Sequence, residues 1–374
     1  MSNIGVLLPR STEYPSMGFD MLDGLKTHLR RLQVADVNIH IENMGFGENV
    51  DANQALAEKL VMSHDVDMLV VYATSLNAES LYSFAASSGK PILFLDAGME
   101  HFESLPSPSC YHLTLQGTQA CALLGAMAAK QAKQIAFAAS FLDGGYRGGW
   151  FMHEAFTKAG STISGHYVSL YRPEEFSLAN LESIIQKTET EAVAASFSSY
   201  LAGLFLTHLK NSGSDKLKNV PFYCSPFLAE EMQLESSPFP EATLYTLVPW
   251  ARSIESTENQ IFIDTIKKEK NKTANIFHLL GWEAALAVQR ILSEGIASLK
   301  NYSFQSPRGR VTFHPDTHAT YAPLYEGQIV RAENNNCKLT LTKPVEVSAE
   351  AHRINHFTRP LGEYSRWKNN FFCI

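Results

Sequence analysis

Few side chains in this sequence have the spacing that metal binding would need. Two histidine pairs, His314/His318 and His352/His356, are four residues apart, as two imidazoles on one face of a helix would be. Pro315 disfavours a helix at the first pair, and no cysteine or carboxylate at ligand spacing accompanies the second. We therefore expect no metal ion and no cofactor.

Catalytic signatures are missing as well. The sequence contains no phosphate-binding loop, no nucleophile elbow and no zinc-protease helix motif. The glycine-rich run 144–149 lacks the spacing of a dinucleotide-binding fingerprint. Asp96 and Asp143 each follow an apolar run, where catalytic carboxylates can lie, but neither has a neighbouring base or cofactor motif, so capping of the next turn is preferred. An enzyme is a remote alternative.

Six short apolar runs end abruptly in small or hydroxylic residues. Continuous apolar runs of this length are typical of strands buried on both faces of a parallel sheet. Open parallel sheets bind ligands beyond the carboxyl ends of their strands, so the pattern favours ligand binding over catalysis. The runs are residues 4–9, 68–71, 92–95, 135–139, 192–195 and 222–224.

Helical patterns alternate with these runs, as in right-handed βαβ units. The alternation occurs in two series that share element order. We therefore predict an α/β protein with two Rossmann-like lobes, each built on a doubly wound parallel sheet. Helices are expected at residues 18–32, 51–62, 76–87, 119–130, 149–159, 256–269 and 276–294.

The last part of the chain has a different pattern. Residues 310–313 and 327–331 are predicted to form a late hairpin. Residues 345–374 have no clear period but carry many aromatic side chains, too many for a disordered segment. We expect this tail to pack on the body of the protein or on a neighbouring molecule, which leaves a homodimer open.

Composition limits the partners and the compartment. The 31 basic and 38 acidic residues give a net charge of −7, and no basic run favours nucleic acid. No apolar stretch is close to the length of about 20 residues that a membrane span needs. No secretory leader precedes residue 4. Either a leader was removed from a periplasmic or cell-surface protein, or the protein is cytoplasmic. The odd number of cysteines, five, favours reduced buried thiols and leaves one disulfide open.

These features together resemble the type I periplasmic binding proteins, in particular the branch similar to the leucine/isoleucine/valine receptors of ABC transporters. The resemblance covers about residues 4–330 and depends on the order and spacing of its motifs. The segments that carry it are Ile4-Gly-Val-Leu-Leu-Pro9, Gly18, Asp23-Gly-Leu25, Tyr72-Ala-Thr-Ser75, Gly89-Lys-Pro-Ile-Leu93, Asp143-Gly-Gly-Tyr-Arg-Gly148, Phe156, Gly160, Leu280-Gly-Trp-Glu-Ala284 and Gly309-Arg-Val-Thr-Phe313.

The resemblance implies two discontinuous lobes joined by a three-segment hinge. The N-terminal lobe would comprise residues 1–115 and 250–305. The C-terminal lobe would comprise residues 116–249 and 306–374, including the aromatic-rich tail. Proteins of this kind close over a small solute by a hinge motion.

The resemblance also implies a set of ligand-binding residues. Ser75 matches a hydroxyl that holds an α-carboxylate, with Thr74 beside it, although Ser75 could equally be a helix N-cap. Backbone groups of residues 97–99 (Ala97, Gly98 and Met99) would contact the ligand. Tyr146 matches an aromatic side chain that the second lobe folds over it.

One departure from the family pattern bears on the ligand. Amino-acid binders often carry a carboxylate after the strand at 222–224, whereas this sequence has Ser225-Pro226-Phe227. Arg10, at the end of the first strand, could hold a carboxylate bidentately. The cleft would be rich in rings and hydroxyls, so we predict a small organic anion, an aromatic acid or an amide-like solute. The further candidates are Tyr14, Tyr72, Ser198, Tyr200, Phe227 and Trp250.

Three functions follow in order of preference. The first is a solute-binding receptor that captures a small organic molecule, such as an amino acid, a small carboxylate, an aromatic acid or an amide, and delivers it to the permease of an ABC importer. The second is a cytoplasmic small-molecule sensor similar to the amide receptors that control antitermination. The third is an enzyme on the same scaffold.

Overall fold

The structure is a computed structural model that describes residues 2–34, 36–47, 49–99, 102, 104–145 and 147–358. The first part of the chain builds one lobe on a five-stranded parallel sheet of order β2-β1-β3-β4-β5. Its elements are β1 (Ser2–Leu8), α1 (Met17–Arg31), β2 (Val37–Asn43), α2 (Val50–His64), β3 (Met68–Tyr72), α3 (Ser75–Ser88), β4 (Ile92–Asp96) and β5 (Cys110–Thr114). Every residue of β3, β4 and β5 is buried, as strands covered by helices on both faces must be.

The chain then crosses into the second lobe. Its elements are α4 (Gly117–Gln131), β6 (Gln134–Ala139), α5 (Arg147–Lys158), β7 (Thr162–Val168), α6 (Ala179–Lys187), β8 (Ala192–Ser196), α7 (Ser199–Asn211), α8 (Asp215–Asn219), β9 (Phe222–Cys224), α9 (Glu231–Ser236) and β10 (Leu244–Val248). Strands β7, β6, β8, β9 and β10 are parallel neighbours in that order.

A second crossing returns the chain to the first lobe through α10 (Thr257–Lys270) and α11 (Ile276–Glu294). Helix α11 packs on α1 with almost no space between the backbones. A Cβ atom on Gly281 would lie 1.9 Å from Met21 O, and one on Gly24 would lie 2.1 Å from His278 O. The two glycines therefore set the distance between these helices.

A small antiparallel sheet follows, made of β11 (Ser303–Ser306), β12 (Gly309–Phe313) and β13 (Thr320–Tyr321). It flanks β5, since His112 N–H donates to His318 O over 2.8 Å and Thr114 N–H donates to the Thr320 hydroxyl over 2.9 Å. The boundary between the two lobes that we expected after residue 305 falls within this small sheet.

The third crossing leads into β14 (Leu324–Arg331) and β15 (Cys337–Val345), which join the second-lobe sheet as antiparallel strands beside β10. The predicted late hairpin between residues 310–313 and 327–331 is therefore wrong, because these segments pair in different sheets. Residues 310–313 pair with the neighbouring segments 303–306 and 320–321, and residues 327–331 pair with β10 and β15.

A last helix, α12 (Ala349–Phe357), lies at the hinge. The Thr118 hydroxyl donates to Asn355 Oδ1 over 3.0 Å, and His352 Nε2 lies 3.0 Å from the Thr317 hydroxyl. The predicted tail packs on the body as far as Thr358, and residues 359–374 lie outside the described part of the chain.

A buried ion pair joins the first and third crossings to helix α11. Arg308 and Glu283 are both fully buried, with Arg308 Nε 2.7 Å from Glu283 Oε1 and Arg308 Nη2 2.8 Å from Glu283 Oε2. Arg308 Nη2 also donates to Thr114 O over 3.0 Å, and Arg308 O accepts from the Tyr325 hydroxyl. The pair joins the end of β5, helix α11 and the start of β14.

The described cysteines, Cys110, Cys121, Cys224 and Cys337, are buried and unpaired, as the odd count led us to expect. Cys373 lies outside the described residues. Among those residues, no helix combines the length and the apolar character needed to cross a membrane.

Candidate functional site

The carboxyl ends of the strands of both lobes face a common cavity, which we call the interlobe cleft. It is lined by Ala97, Leu115, Gly117, Pro226, Phe227, Ala229, Glu230, Glu231, Val248, Pro249, Trp250 and Ile276. Its volume is about 20 Å³, enough for roughly one water molecule. The structure therefore shows the lobes closed on one another.

Two hydrogen bonds cross the cleft at Ser199, the first residue of α7. Ser199 N–H donates to the hydroxyl oxygen of Tyr14 over 3.2 Å, and the Ser199 hydroxyl donates to the Glu13 carboxylate. Glu13 and Tyr14 follow β1 of the first lobe, whereas Ser199 follows β8 of the second. Ser199 has a φ of 52°, which is uncommon for a residue other than glycine. The contact fixes how the lobes meet.

Asp143 supplies a buried carboxylate to the second-lobe side of this contact. It is 1% exposed and accepts hydrogen bonds from the hydroxyls of Ser140 (2.6 Å) and Ser198 (2.9 Å). Burial raises the pKa of Asp143 to about 6 in spite of these donors. Asp143 thus joins the loops after β6 and β8, which is more than the turn-capping role expected of it.

Glu230 supplies a second buried carboxylate, on the wall of the cleft itself. It is 7% exposed and caps α9 by accepting from Gln233 N–H over 3.2 Å. Burial raises the pKa of Glu230 to about 7. The neighbouring Arg252 forms its ion pairs with Glu231 and Glu235 instead.

Tyr14 lies among these acidic groups. Burial raises the pKa of its phenol well above the ordinary value, and the nearby charges of Glu230, Asp143 and Glu13 act in the same direction. Burial also raises the pKa of the Glu13 carboxyl. Among the described residues that line the cleft there is no lysine or arginine. The site therefore favours a ligand that donates hydrogen bonds or carries a positive charge.

Of the predicted site residues, the structure brings Ala97, Phe227 and Trp250 together in the cleft wall, with Tyr14 at the interlobe contact. Trp250 is held by a 2.8 Å hydrogen bond from its Nε1–H to Asn259 Oδ1. Ser198 lies next to this group through its bond to Asp143.

Other predicted residues lie elsewhere. Arg10 is exposed and does not line the cleft. Tyr72 is fully buried at the end of β3, in a core cluster with residues from both lobes. The Tyr200 hydroxyl donates to Tyr171 O over 3.0 Å, on a partly exposed surface. Tyr146 lies outside the described residues.

The loop after β3 serves its own helix. Thr74, not Ser75, is the N-cap of α3: its hydroxyl accepts from Asn77 N–H over 3.2 Å, and its own N–H donates to Asn77 Oδ1 over 2.7 Å. Ser75 is the first helical residue, and its side chain is outside the described part of the structure.

The loop after β4 packs against the first crossing. Gly98 has a φ of 75°, and a Cβ atom there would lie 2.4 Å from Gly117 N. The carbonyls of Ala97 and Gly98 accept from the first N–H groups of α4, over 3.3 and 2.8 Å. Met99 is buried near Gly148 of α5. Residues 97–99 thus hold the hinge, and of the three only Ala97 lines the cleft.

From the sequence we did not place Glu13, Ser199 or Glu230 in the site. Their shared signal is weak: each is a polar residue a few positions after the end of a strand. Only the closed arrangement of the lobes brings them to one site.

The two histidine pairs meet in the structure, with ring centroids 5.6 Å apart for His314 and His352 and 6.0 Å apart for His352 and His356. His314 Nδ1 accepts from Asp316 N–H, while the His318 ring stacks on Tyr111 and its Nδ1 lies 3.1 Å from Cys110 O. A cluster with metal-binding chemistry does occur at Asp20, Asp23 and His278. Its counter-charge is Lys272, whose ammonium lies 2.8 and 2.9 Å from the two aspartates.

Comparison with known proteins agrees with this architecture. A family model described as periplasmic binding protein matches residues 2–335. No curated protein matches the sequence. An ABC transporter substrate-binding protein from Sphaerobacter thermophilus is similar in structure, with a TM-score of 0.78, 17% identity and coverage of 92% of this chain and 97% of the other.

Two structures from Rhodopseudomonas palustris are also similar. A solute-binding protein of strain BisB5 in complex with 3,4-dihydroxybenzoic acid has a TM-score of 0.75, 16% identity and coverage of 92% and 97%. An ABC-type branched-chain amino acid transporter of strain CGA009 has a TM-score of 0.73, 14% identity and coverage of 93% and 98%. At these identities the likeness concerns the fold.

Proposed function

The chain belongs to the periplasmic binding protein family, and from that premise we propose that it is a receptor that captures a small solute between its lobes and delivers it to an ABC importer. The observation that carries the proposal is the closed interlobe cleft, in which Tyr14 and Glu13 of one lobe hold Ser199 of the other. A solute in this cleft would contact both lobes.

Closure would then be driven by the ligand. A solute that touches both lobes binds the closed form better than the open form and shifts the population toward it. The free cleft of about 20 Å³ is too small for an organic molecule, so the solute enters an open form and the lobes settle around it. The three crossings, of which Arg308 and Glu283 hold the first and the third together, would allow this motion without separating the lobes.

The acidic groups narrow the class of solute. Related structures bind 3,4-dihydroxybenzoic acid or benzoate, and one is described as a branched-chain amino acid transporter. In this chain Glu230 and Asp143 are buried with raised pKa values, and Arg10 is exposed. An ammonium about 4 Å from a carboxylate gains about 4 kcal/mol at an effective dielectric constant near 20.

We therefore favour a solute with an amine or several hydrogen-bond donors, and an apolar part that packs on Phe227 and Trp250. An amino acid meets this description. A bare carboxylate such as benzoate would meet Glu230 without a lysine or arginine among the described residues of the cleft wall. This choice replaces the organic anion favoured by the position of Arg10 in the sequence.

A thermal-shift panel tests the proposal. Amino acids, simple amines, benzoates and amides are compared, because a ligand confined to the folded protein raises the melting temperature. We expect amino acids or amines to raise it, and the same compounds to reduce the radius of gyration in solution scattering. Glu230→Gln should weaken the effect, with Glu255→Gln, an exposed glutamate, as the matched control.

If benzoate alone raises the melting temperature, the expected solute class, rich in hydrogen-bond donors, is contradicted. The receptor function would still be supported. A hit that leaves the scattering profile unchanged would contradict capture by closure.

The family supports a location outside the cytoplasm, with the rims of both lobes contacting the permease. The cytoplasmic sensor is the alternative for the same cleft. Fractionation of the native cells with an antibody against the chain separates them, since a receptor for an importer is recovered outside the cytoplasmic fraction.

A further inference from the structure

A second cavity lies behind the interlobe cleft, on the opposite face of the same chain segments. Residues at the end of β4 and around the first crossing alternate between the two cavities. Ala97, Leu115 and Gly117 line the cleft, whereas Asp96, Gly98, Thr114, Gln116 and Thr118 line the second cavity. We call it the hinge cavity. Its volume is about 40 Å³.

The walls of the hinge cavity come from every part of the molecule that meets at the hinge. His112 belongs to β5 of the first lobe, Arg147 to α5 of the second, and Ala319 to the small-sheet segment, while His352 and Asn355 belong to α12. Asp96 and Arg147 bring one negative and one positive side chain. An occupant would therefore contact both lobes and α12 at once, and it need not carry a net charge.

Two buried polar atoms in this wall have no hydrogen-bond partner among the described residues: Gln116 Nε2 and Gln119 Oε1. Gln116 is 3% exposed and Gln119 is 6% exposed. The orientation of the Gln116 amide is fixed because its Oε1 accepts from Ala322 N–H over 2.7 Å, which leaves Nε2 as a donor. Buried polar groups in native proteins nearly always have a partner, from the protein or from a bound molecule.

Helix α12 closes the cavity over these atoms. The Thr118 hydroxyl, next to the cavity, donates to Asn355 Oδ1 over 3.0 Å, and Arg147 Nη2 donates to Thr358 O over 2.9 Å. The helix is thus bonded to the first crossing and to the second lobe on either side of the cavity.

We propose that the hinge cavity is a second binding site, for a neutral hydrogen-bonding ligand that accepts from Gln116 Nε2 and donates to Gln119 Oε1. A cavity of about 40 Å³ holds about two to three water molecules, or a primary amide of similar size. Water and a small amide share the required chemistry. The occupant bridges the lobes and α12 on the hinge side and so stabilises their closed arrangement.

The direction in which a substitution at Gln119 changes the melting temperature tests whether the hinge cavity is occupied. Gln119→Met removes the unpartnered oxygen at nearly constant volume, and Gln131→Met makes the same change at an exposed position of the same helix. If Gln119 Oε1 is bonded to an occupant, the first variant lowers the melting temperature by about 2 °C and the second leaves it unchanged. If the cavity is empty, Gln119→Met leaves the melting temperature unchanged or raises it, and the proposal is overturned.

Crystals of the full chain distinguish the two sources of ligand. Separate density peaks at hydrogen-bonding distance from both glutamines in crystals without additive identify water. Connected density in that place, only in crystals grown with acetamide, identifies an amide-class ligand. Absence of density in both crystals contradicts the proposal. Neither measurement depends on the solute of the interlobe cleft. A negative result for the hinge cavity would therefore leave the proposed receptor function unaffected.

Discussion

At the scale of single residues, Glu230 is the most informative group of the interlobe cleft. Its carboxylate has lost most of its water and gains only the backbone N–H groups at the start of α9 in return. An ionised carboxylate in such a place is costly unless a cation or further donors join it. In the closed cleft without a solute, the protonated form of Glu230 is therefore favoured. A cationic solute would favour the ionised form instead.

The pH dependence of stability should report this balance. Burial raises the pKa of Glu230 from its ordinary 4.5 to about 7, so the folded protein keeps a proton that the unfolded chain releases. The resulting stabilisation is complete below pH 4.5 and is lost as the pH rises through 7, an effect of up to about 3 kcal/mol. Glu230→Gln should flatten the dependence between these pH values, as measured by denaturant unfolding.

Asp143 contributes with the same sign over a lower range, because burial raises its pKa from 3.8 to about 6. Glu255→Gln is the control, since this exposed side chain should leave the curve as it is. A Glu230→Gln curve that keeps the full slope of the parent protein would contradict the assignment of a buried, proton-retaining carboxyl group.

At the scale of elements, the contact between α1 and α11 decides how the first lobe is built. Gly24 and Gly281 lie where each helix meets the backbone of the other. Both glycines belong to segments through which the sequence resembles its family. The physical reason for these segments is close helix packing, because any side chain at either position would collide with backbone atoms.

Gly281→Ala should therefore destabilise the protein although alanine favours helices. Its Cβ atom would lie 1.9 Å from Met21 O, and separating the helices costs about 2–3 kcal/mol. A lower melting temperature in calorimetry is the expected result. Gly144→Ala, where a Cβ atom meets neighbours at 3.7 Å or more, is the matched change without a collision. Equal melting temperatures for the two variants would show that α1 and α11 can separate freely.

At the scale of the whole molecule, the pair Arg308–Glu283 holds the hinge on which closure depends. Both side chains are fully buried, and through Thr114 O and the Tyr325 hydroxyl the pair reaches the first and third crossings. A buried ion pair adds little net stability compared with apolar groups of the same size, but removal of one partner leaves an isolated buried charge. In this protein the ion pair fixes the position of the first crossing relative to the third.

Arg308→Met should therefore cost about 3–5 kcal/mol of unfolding free energy, because Glu283 remains buried without its cation. The double variant Arg308→Met/Glu283→Leu should recover much of the loss, since no charge is then left unpaired. Denaturant unfolding of the single and double variants measures this coupling. Additive losses in the double variant would contradict an interaction between the two side chains.

The sequence by itself determined the class of the molecule. Strands β1, β3, β4, β6, β8 and β9 lie where apolar runs predicted them, and helices α1 to α5, α10 and α11 follow their predicted spans closely. The two-lobed α/β fold and the family are confirmed. These features depend on burial and on periodicity within one element, which neighbouring residues record directly. Ala97 and Phe227 each follow a predicted strand, β4 in the first-lobe sheet and β9 in the second-lobe sheet, and both line the cleft.

Only the tertiary structure decided what the cleft offers a ligand. Glu13 and Ser199 are 186 residues apart and meet because the lobes face each other, and Glu230 turns inward because α9 begins there. The expected hairpin is absent because residues 310–313 pair with the neighbouring segments 303–306 and 320–321, whereas residues 327–331 join β10 and β15 in the second-lobe sheet. Spacing along the chain fixes which face of an element a residue occupies. Which elements face one another follows from the packing of the whole chain, and the charge of the cleft depends on that packing.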